Sequence, residues 1–262
     1  MNSKNPILAA GAGASVGTLG GLIGLGGAEF RLPLLISMFG YKALPAVIMN
    51  KTMSLAVVAS ALPFRASAVP WQEVLAHWNI IVTLLAGSLV GAWYGADWAT
   101  KLKSRTLYRV LAVLLVAIAV VLIFGHDPAA TSSPILIGLS LTVVGAIAGF
   151  GIGVVAALMG VAGGELLIPT IVLLFGADIK LAGSLSLAVS LPTMIVGFTR
   201  YSQDQSFSII RSERRFVAFM VTGSLLGAFL GSLLLGVVPT NVILPVLAAI
   251  LVVSAVKVWN HA

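Results

Sequence analysis

The two halves of the chain are copies of one another. Advancing the numbering by 136 brings Glu29-Phe-Arg-Leu-Pro33 onto Glu165-Leu-Leu-Ile-Pro169 and Phe39-Gly40 onto Phe175-Gly176 without a gap. The same offset superposes Gly87-Ser88-Leu89 on Gly223-Ser224-Leu225, Gly91-Ala92 on Gly227-Ala228 and Gly95 on Gly231. Gly13, Gly17, Gly24, Gly27, Ala46 and Ser54 also meet their own residue type. A duplicated apolar chain with a charged, glycine-interrupted segment at matching places in both halves is the sequence sign of a secondary transporter's binding site.

Hydrophobic residues make up 59% of the 262 and charged residues only 9%, whereas a soluble domain of this size carries about a quarter charged. The mean hydropathy of +1.10 and the long apolar runs argue for an all-α membrane protein with several spans and against a β-barrel. The formal net charge of +7 does not imply nucleic acid, because most basic residues sit in short loops beside apolar runs. With no cysteine in the chain, thiol nucleophiles, disulfides and thiolate metal sites are excluded. The opening Lys4, apolar run and small residues at 10–14 resemble a signal peptide, but the repeat mate of this stretch, Ile147–Gly164, lies mid-chain, so it is expected to be retained.

Five apolar segments can be drawn in each half: 7–25, 30–40, 43–64, 78–99 and 107–124, then 135–160, 166–176, 180–199, 216–237 and 241–258. Residues 1–126 form the first repeat, 127–134 a linker, and 135–262 the second. The second segment of each half has about 11 residues and rises roughly 16 Å, half the hydrocarbon thickness. It reads as a half-helix entered through a glycine pair, and irregular backbone at that depth must be buried in protein or line a cavity. The basic loop also changes place. Lys101, Lys103 and Arg105 follow the fourth segment of the first half, whereas Arg200, Arg211, Arg214 and Arg215 follow the third segment of the second. Two repeats of inverted topology, with both termini cytoplasmic, account for this switch.

Chemistry centres on Glu29 and Glu165, each after a glycine pair and four residues before a proline. They serve either as first-turn carboxylates at helix N-termini or as proton-coupling groups, since an ionisable residue inside a membrane calls for a partner or a function. The pairs Gly26-Gly27 and Gly163-Gly164 either let helices pack closely or open backbone N–H groups toward an anion. Arg31 is too near Glu29 in sequence to pair well with it, so another partner is expected. Lys51 sits mid-segment between Asn50 and Thr52, a setting suited to an anion, and its mate is Leu187, so this charge is present in one half only. Ser184 and Ser186 are further donors. Arg65, Lys180 and Arg200 lie near segment ends where snorkelling suffices, with Arg200 also a candidate charge partner for the anion. His77, His126 and His261 lack metal-ligand spacing, and no nucleophile–base pair is visible. No enzyme activity, metal or cofactor is therefore expected. Trp71, Trp78, Trp93, Trp98 and Trp259 sit mostly near span ends, as an interfacial belt would.

The two glycine-rich copies, Gly24-Leu-Gly-Gly-Ala-Glu-Phe-Arg-Leu-Pro33 and Gly160-Val-Ala-Gly-Gly-Glu-Leu-Leu-Ile-Pro169, each followed by a Gly and an Ala-led turn at Ala46 or Ala182, resemble the TauE/SafE family of sulfite exporters and sulfonate permeases. The chain departs from that pattern at Ala28 and in the turns at Ile48-Met49 and Ser184-Leu185. The resemblance implies a multi-pass protein of a bacterial-type inner membrane that moves a small sulfur-containing anion such as sulfite, a sulfonate or sulfoacetate. The expected partners are that anion and the bilayer, with a homodimer left open and no nucleic acid. The reading is proton-coupled export by alternating access, with an anion channel or a carrier of another small carboxylate-type anion as the alternative.

Overall fold

The computed structural model describes residues 5–23, 27–65, 70–124, 138–177, 179–234 and 240–261, and these are helical throughout apart from turns. The first half runs α1 (Pro6–Ile23), α2 (Ala28–Ser37), α3 (Ala43–Arg65), α4 (Trp71–Ala76), α5 (Trp78–Lys101) and α6 (Ser104–Phe124). The second runs α7 (Leu139–Met159), α8 (Gly164–Phe175), α9 (Ile179–Tyr201), a 3-10 turn at Gln205–Phe207, α10 (Ser208–Ser212), α11 (Arg214–Leu234) and α12 (Thr240–Trp259). The offset of 136 carries α3 onto α9 from end to end. The linker 127–134 and Gly26 lie outside the described residues, as do the side chains of Arg65 and Lys180.

Among the described residues, five helices are long and apolar enough to cross a bilayer: Ala43–Ser60, Trp78–Lys101, Leu139–Met159, Leu181–Tyr201 and Arg214–Gly231. The half-helices expected from the sequence are present. α2 has 10 residues and α8 has 12, each starting at a left-handed glycine, Gly27 (φ 70°) and Gly163 (φ 83°). That backbone region costs a residue with a Cβ about 1–2 kcal/mol, so the glycine before each carboxylate is a conformational requirement. Two short helices were not foreseen. α4 and α10 occupy the connections after α3 and α9, and Pro70, with its fixed φ, leads into the first of them.

Apolar solvent gives helices no hydrophobic reason to associate, so close contact of small residues has to supply the attraction. The principal contacts exchange partners between the halves: α1 packs on α11, and its mate α7 packs on α5. The repeated glycines make the seams. A Cβ at Gly13 or Gly17 would strike the backbone of Met220 or Ser224, and one at Gly87 or Gly91 would strike Ala146 or Phe150. These contacts advance together along both chains, so α1 runs parallel to α11 and α5 parallel to α7.

The pairs Ser88–Thr193 and Asp97–Arg200 likewise set α5 parallel to α9. At the other seam Tyr41, just before α3, meets Phe216 at the start of α11, with ring centroids 5.5 Å apart. The start of α3 and the end of α9 therefore share one face, so these repeat mates run antiparallel, an arrangement consistent with inverted repeats. That face gathers both basic loops. It also holds the start of α1, which lies beside the start of α11, and the end of α12, where Trp259 meets Arg109 near the start of α6. All five tryptophans are exposed, as residues of a membrane interface would be.

Two outcomes test this packing. Gly87→Val should lower stability by about 1–3 kcal/mol through overpacking, whereas Gly151→Ala, with open space around it, should be neutral or stabilising by up to about 1 kcal/mol; thermal unfolding in detergent reads both. Because the chain has no cysteine, single cysteines can report sidedness. Lys103→Cys and Gln203→Cys should label from one side of the membrane and Gln72→Cys from the other. Labelling of 103 and 203 from opposite sides contradicts the helix directions.

Candidate functional site

The helix break in the second half is resolved in detail. α7 ends at Met159, where Gly160 takes a left-handed conformation (φ 67°). The Gly160 N–H bonds to Ala157 O at 3.0 Å and the Val161 N–H to Ala156 O at 3.0 Å, the paired bonds of a Schellman end. Four residues later α8 begins, with Glu165 in its first turn. Glu29 occupies the same place in α2. Pro33 and Pro169 lie inside these helices, and each lacks the N–H that would bond the carbonyl four residues back. The carbonyls that lose a helical donor belong to Glu29 and Glu165.

Side chains from the crossing helix α3 close the break. Asn50 Nδ2 donates to Ala28 O and Met159 O, both at 3.0 Å, and so ties the start of α2 to the end of α7. Lys51 Nζ donates to Ala156 O at 3.3 Å and Val161 O at 3.1 Å. Tyr201 at the end of α9 donates to Ala157 O at 2.9 Å. Three donors therefore meet the negative end of one helix dipole. Lys51 thus has a structural function that the sequence reading, which assigned it to an anion, did not contain.

Glu29, Arg31, Asn50 and Lys51 are fully shielded from solvent, and Glu165 is 2% exposed. The two carboxyls are electrostatic neighbours across the junction of the halves; Arg31 adds its charge beside Glu29, and Lys51 beside Glu165. The two carboxyls stand within hydrogen-bonding reach of each other for a shared proton, and their four oxygens otherwise have no hydrogen-bond partner among the described residues. The same is true of Arg31 Nε and Nη1 and of Asn50 Oδ1. Arg31 reaches Ser54 Oγ through Nη2 at 3.5 Å, the different partner that its spacing from Glu29 required. A charge at the centre of a membrane helix costs about 2.5–3.5 kcal/mol on insertion scales, so Glu29, Arg31 and Glu165, buried with hydrogen-bonding capacity unused, call for a partner or a function.

The structure gathers Gly27, Glu29, Arg31, Asn50, Lys51, Gly163, Gly164 and Glu165 at this junction. The remaining expected residues are engaged elsewhere. Thr52 donates to Ile48 O of its own helix at 2.9 Å, and Ser186 donates to Gly183 O at 2.8 Å. Ser184 is buried and already in contact within the fold. Arg200 pairs with Asp97 through Nε at 3.1 Å and through Nη2, near the ends of α9 and α5, where Lys101 also meets Asp97 at 2.6 Å. Sequence reading missed Ser54, Tyr201 and Asp97 as contributors. Ser54 carried a signal, since its repeat mate is Ser190; Tyr201 carried none, since its mate is Arg65.

The family profile described as sulfite exporter TauE/SafE matches residues 4–258, nearly the whole chain. The chain belongs to the TauE/SafE family. It is a multi-pass membrane transporter and not an enzyme. No curated protein and no solved structure matches the chain significantly.

The junction makes a stability prediction. Asn50→Ala removes the side-chain donor shared by the buried carbonyls of Ala28 and Met159; Ala28 O keeps the N–H of Leu32 within α2, so the loss falls mainly on Met159 O, at about 1–3 kcal/mol for an unsatisfied buried group. Purified Asn50→Ala should therefore unfold at a clearly lower temperature than Thr52→Ala, whose hydroxyl serves only its own helix. Equal midpoints for the two variants would show that Asn50 does not fasten the halves.

Proposed function

We propose that this member is a secondary carrier of a small sulfur-containing oxyanion, sulfite or a sulfonate, which works by alternating access and couples to protons through Glu29 and Glu165. The observation that carries the reading is a buried guanidinium with unused donors: Arg31 Nε and Nη1 have no partner among the described residues. A planar guanidinium offers donors in the geometry of such an anion's oxygens. The helix starts at Gly27–Glu29 and Gly163–Glu165 add backbone N–H groups and positive dipole ends to the same place.

Lys51 and Asn50 now serve the broken end of α7. Handing either donor to a ligand requires α7 to move against α3. Such rocking of one repeat on the other is the motion of alternating access. Thr52, Ser184 and Ser186 would join only in a state that rearranges α3 and α9, and Arg200 acts at the rim through Asp97. The family description is that of an exporter, which favours outward movement. The basic face, which carries both described ends of the chain, is then cytoplasmic by the positive-inside rule.

Charge balance supplies the coupling. With Glu29 and Glu165 both ionised, Arg31 and Lys51 cancel them and an incoming anion meets no net positive charge. One proton leaves the group at +1, matched to a monoanion; two leave it at +2, matched to a dianion. Like charges sharing a site already disfavour double ionisation. Anion binding and protonation of the carboxyls therefore favour each other.

A ligand panel tests the reading. Sulfite or a sulfonate at hundredfold excess over its dissociation constant should stabilise the purified protein by about 2.7 kcal/mol, and Arg31→Gln should lose that shift. Binding of a sulfonate, whose own charge is fixed near neutrality, should weaken as pH rises, because the carboxyls lose the protons that make room for it. Glu29→Gln with Glu165→Gln should still bind but lose the pH dependence. A shift retained in Arg31→Gln removes the anion assignment, and pH-independent binding by the unaltered protein removes the proton coupling.

A further inference from the structure

The last helices of the two halves, α6 and α12, pack against each other antiparallel. Their seam uses small residues, Ala112 and Ala255, each 3% exposed. Small residues at the seam sink it below the flanking valines, and a furrow of about 330 Å³ runs along the outer surface between Val113 and Val116 on one side and Val252 and Val256 on the other. That is the lower end of the roughly 300–1,000 Å³ typical of ligand clefts. Trp259 closes one end, with the Arg109 guanidinium 5.6 Å from the centre of its ring.

The closed end is strongly and one-sidedly charged. Arg105 and Arg109 are one turn apart on the same side of α6 as Val113 and Val116, and both arginines are exposed. Arg105 stands in the first turn of α6, which contains no acidic residue to offset it. A helix start is already positive, so a cation there adds to the potential where it would usually be avoided. Lys257 in the last turn of α12 contributes a further charge. The repeat mates of Arg109 and Trp259 are Pro245 and Ile123, so duplication alone does not account for this end. An apolar trough that terminates in clustered arginines complements a molecule with a hydrocarbon tail and an anionic head.

We propose that this furrow binds an anionic phospholipid of the surrounding bilayer, its acyl chain lying along the valines and its phosphate held by Arg105 and Arg109. The lipid spans the contact of the two halves at α6 and α12, so it fastens them from outside the transport site. The interaction is independent of the anion reading above.

The purified protein in detergent is titrated with dioleoyl phosphatidylglycerol, with dioleoyl phosphatidylcholine and with inorganic phosphate, and bound lipid is counted by native mass spectrometry. Phosphatidylglycerol should bind about tenfold or more tightly than phosphatidylcholine, as expected for basic residues near an anionic headgroup, and phosphate alone should have no effect. The double variant Arg105→Gln/Arg109→Gln should bind both lipids equally while keeping the unfolding midpoint of the unaltered, lipid-free protein. Val256→Trp, which fills the furrow from an exposed position, should weaken both lipids. Equal affinity for the two lipids in the unaltered protein overturns the proposal, as does a preference that survives the double arginine variant. A phosphate effect equal to that of the lipid, or a disulfide-linked dimer formed by the double variant Val113→Cys/Val256→Cys in the bilayer, would likewise overturn it.

Discussion

A helix interrupted inside a membrane leaves carbonyl groups that water cannot reach, and here their satisfaction organises the centre of the molecule. Ala156, Ala157 and Met159 at the end of α7 receive Lys51, Tyr201 and Asn50, drawn from α3 and α9. Each bond crosses between elements distant in sequence, so the break doubles as a junction. In the low dielectric of this interior such bonds are electrostatically strong, and their loss is correspondingly costly. The placement of Arg31, Glu29 and Glu165 follows from it, because α2 is held against α7 by the same Asn50 that caps the break.

Much of this was legible in the residues. The repeat offset fixed the correspondence of α3 with α9, and the short apolar runs behind the glycine pairs became α2 and α8. A left-handed start is a local demand, met by glycine, and so it leaves a local mark at Gly27 and Gly163. The exchange of partners was not legible. Helices that are apolar on every side present no face from which a neighbour could be inferred, and only the repeated glycines hinted at close seams. The partner of Arg200 was hidden for another reason: Asp97 is remote in sequence, and only the parallel course of α5 and α9 brings the two together.

Duplication followed by divergence explains the uneven charge. Arg31 and Lys51 both come from the first half, and their mates are Leu167 and Leu187. Each carboxyl nevertheless has a cation nearby, because Lys51 crosses to the side of Glu165. The frame is twofold while the electrostatics are not, and a ligand held at the junction would be gripped mainly by one repeat.

The same divergence separates the two seams that carry α3 and α9. Between α5 and α9, Ser88 and Thr193 share a buried hydroxyl pair at 2.7 Å, and Asp97 fastens Arg200 beyond it. In the sequence of the other repeat, Ser224 corresponds to Ser88, but Val57 stands at the position equivalent to Thr193, and Leu233 and Phe64 at those equivalent to Asp97 and Arg200. The α5–α9 seam is pinned by polar bonds, whereas the buried Ser224 hydroxyl has no partner among the described residues. Duplication has thus kept the buried serine on both seams and its partner on only one, which leaves the unmatched hydroxyl at a desolvation cost of about 1–3 kcal/mol.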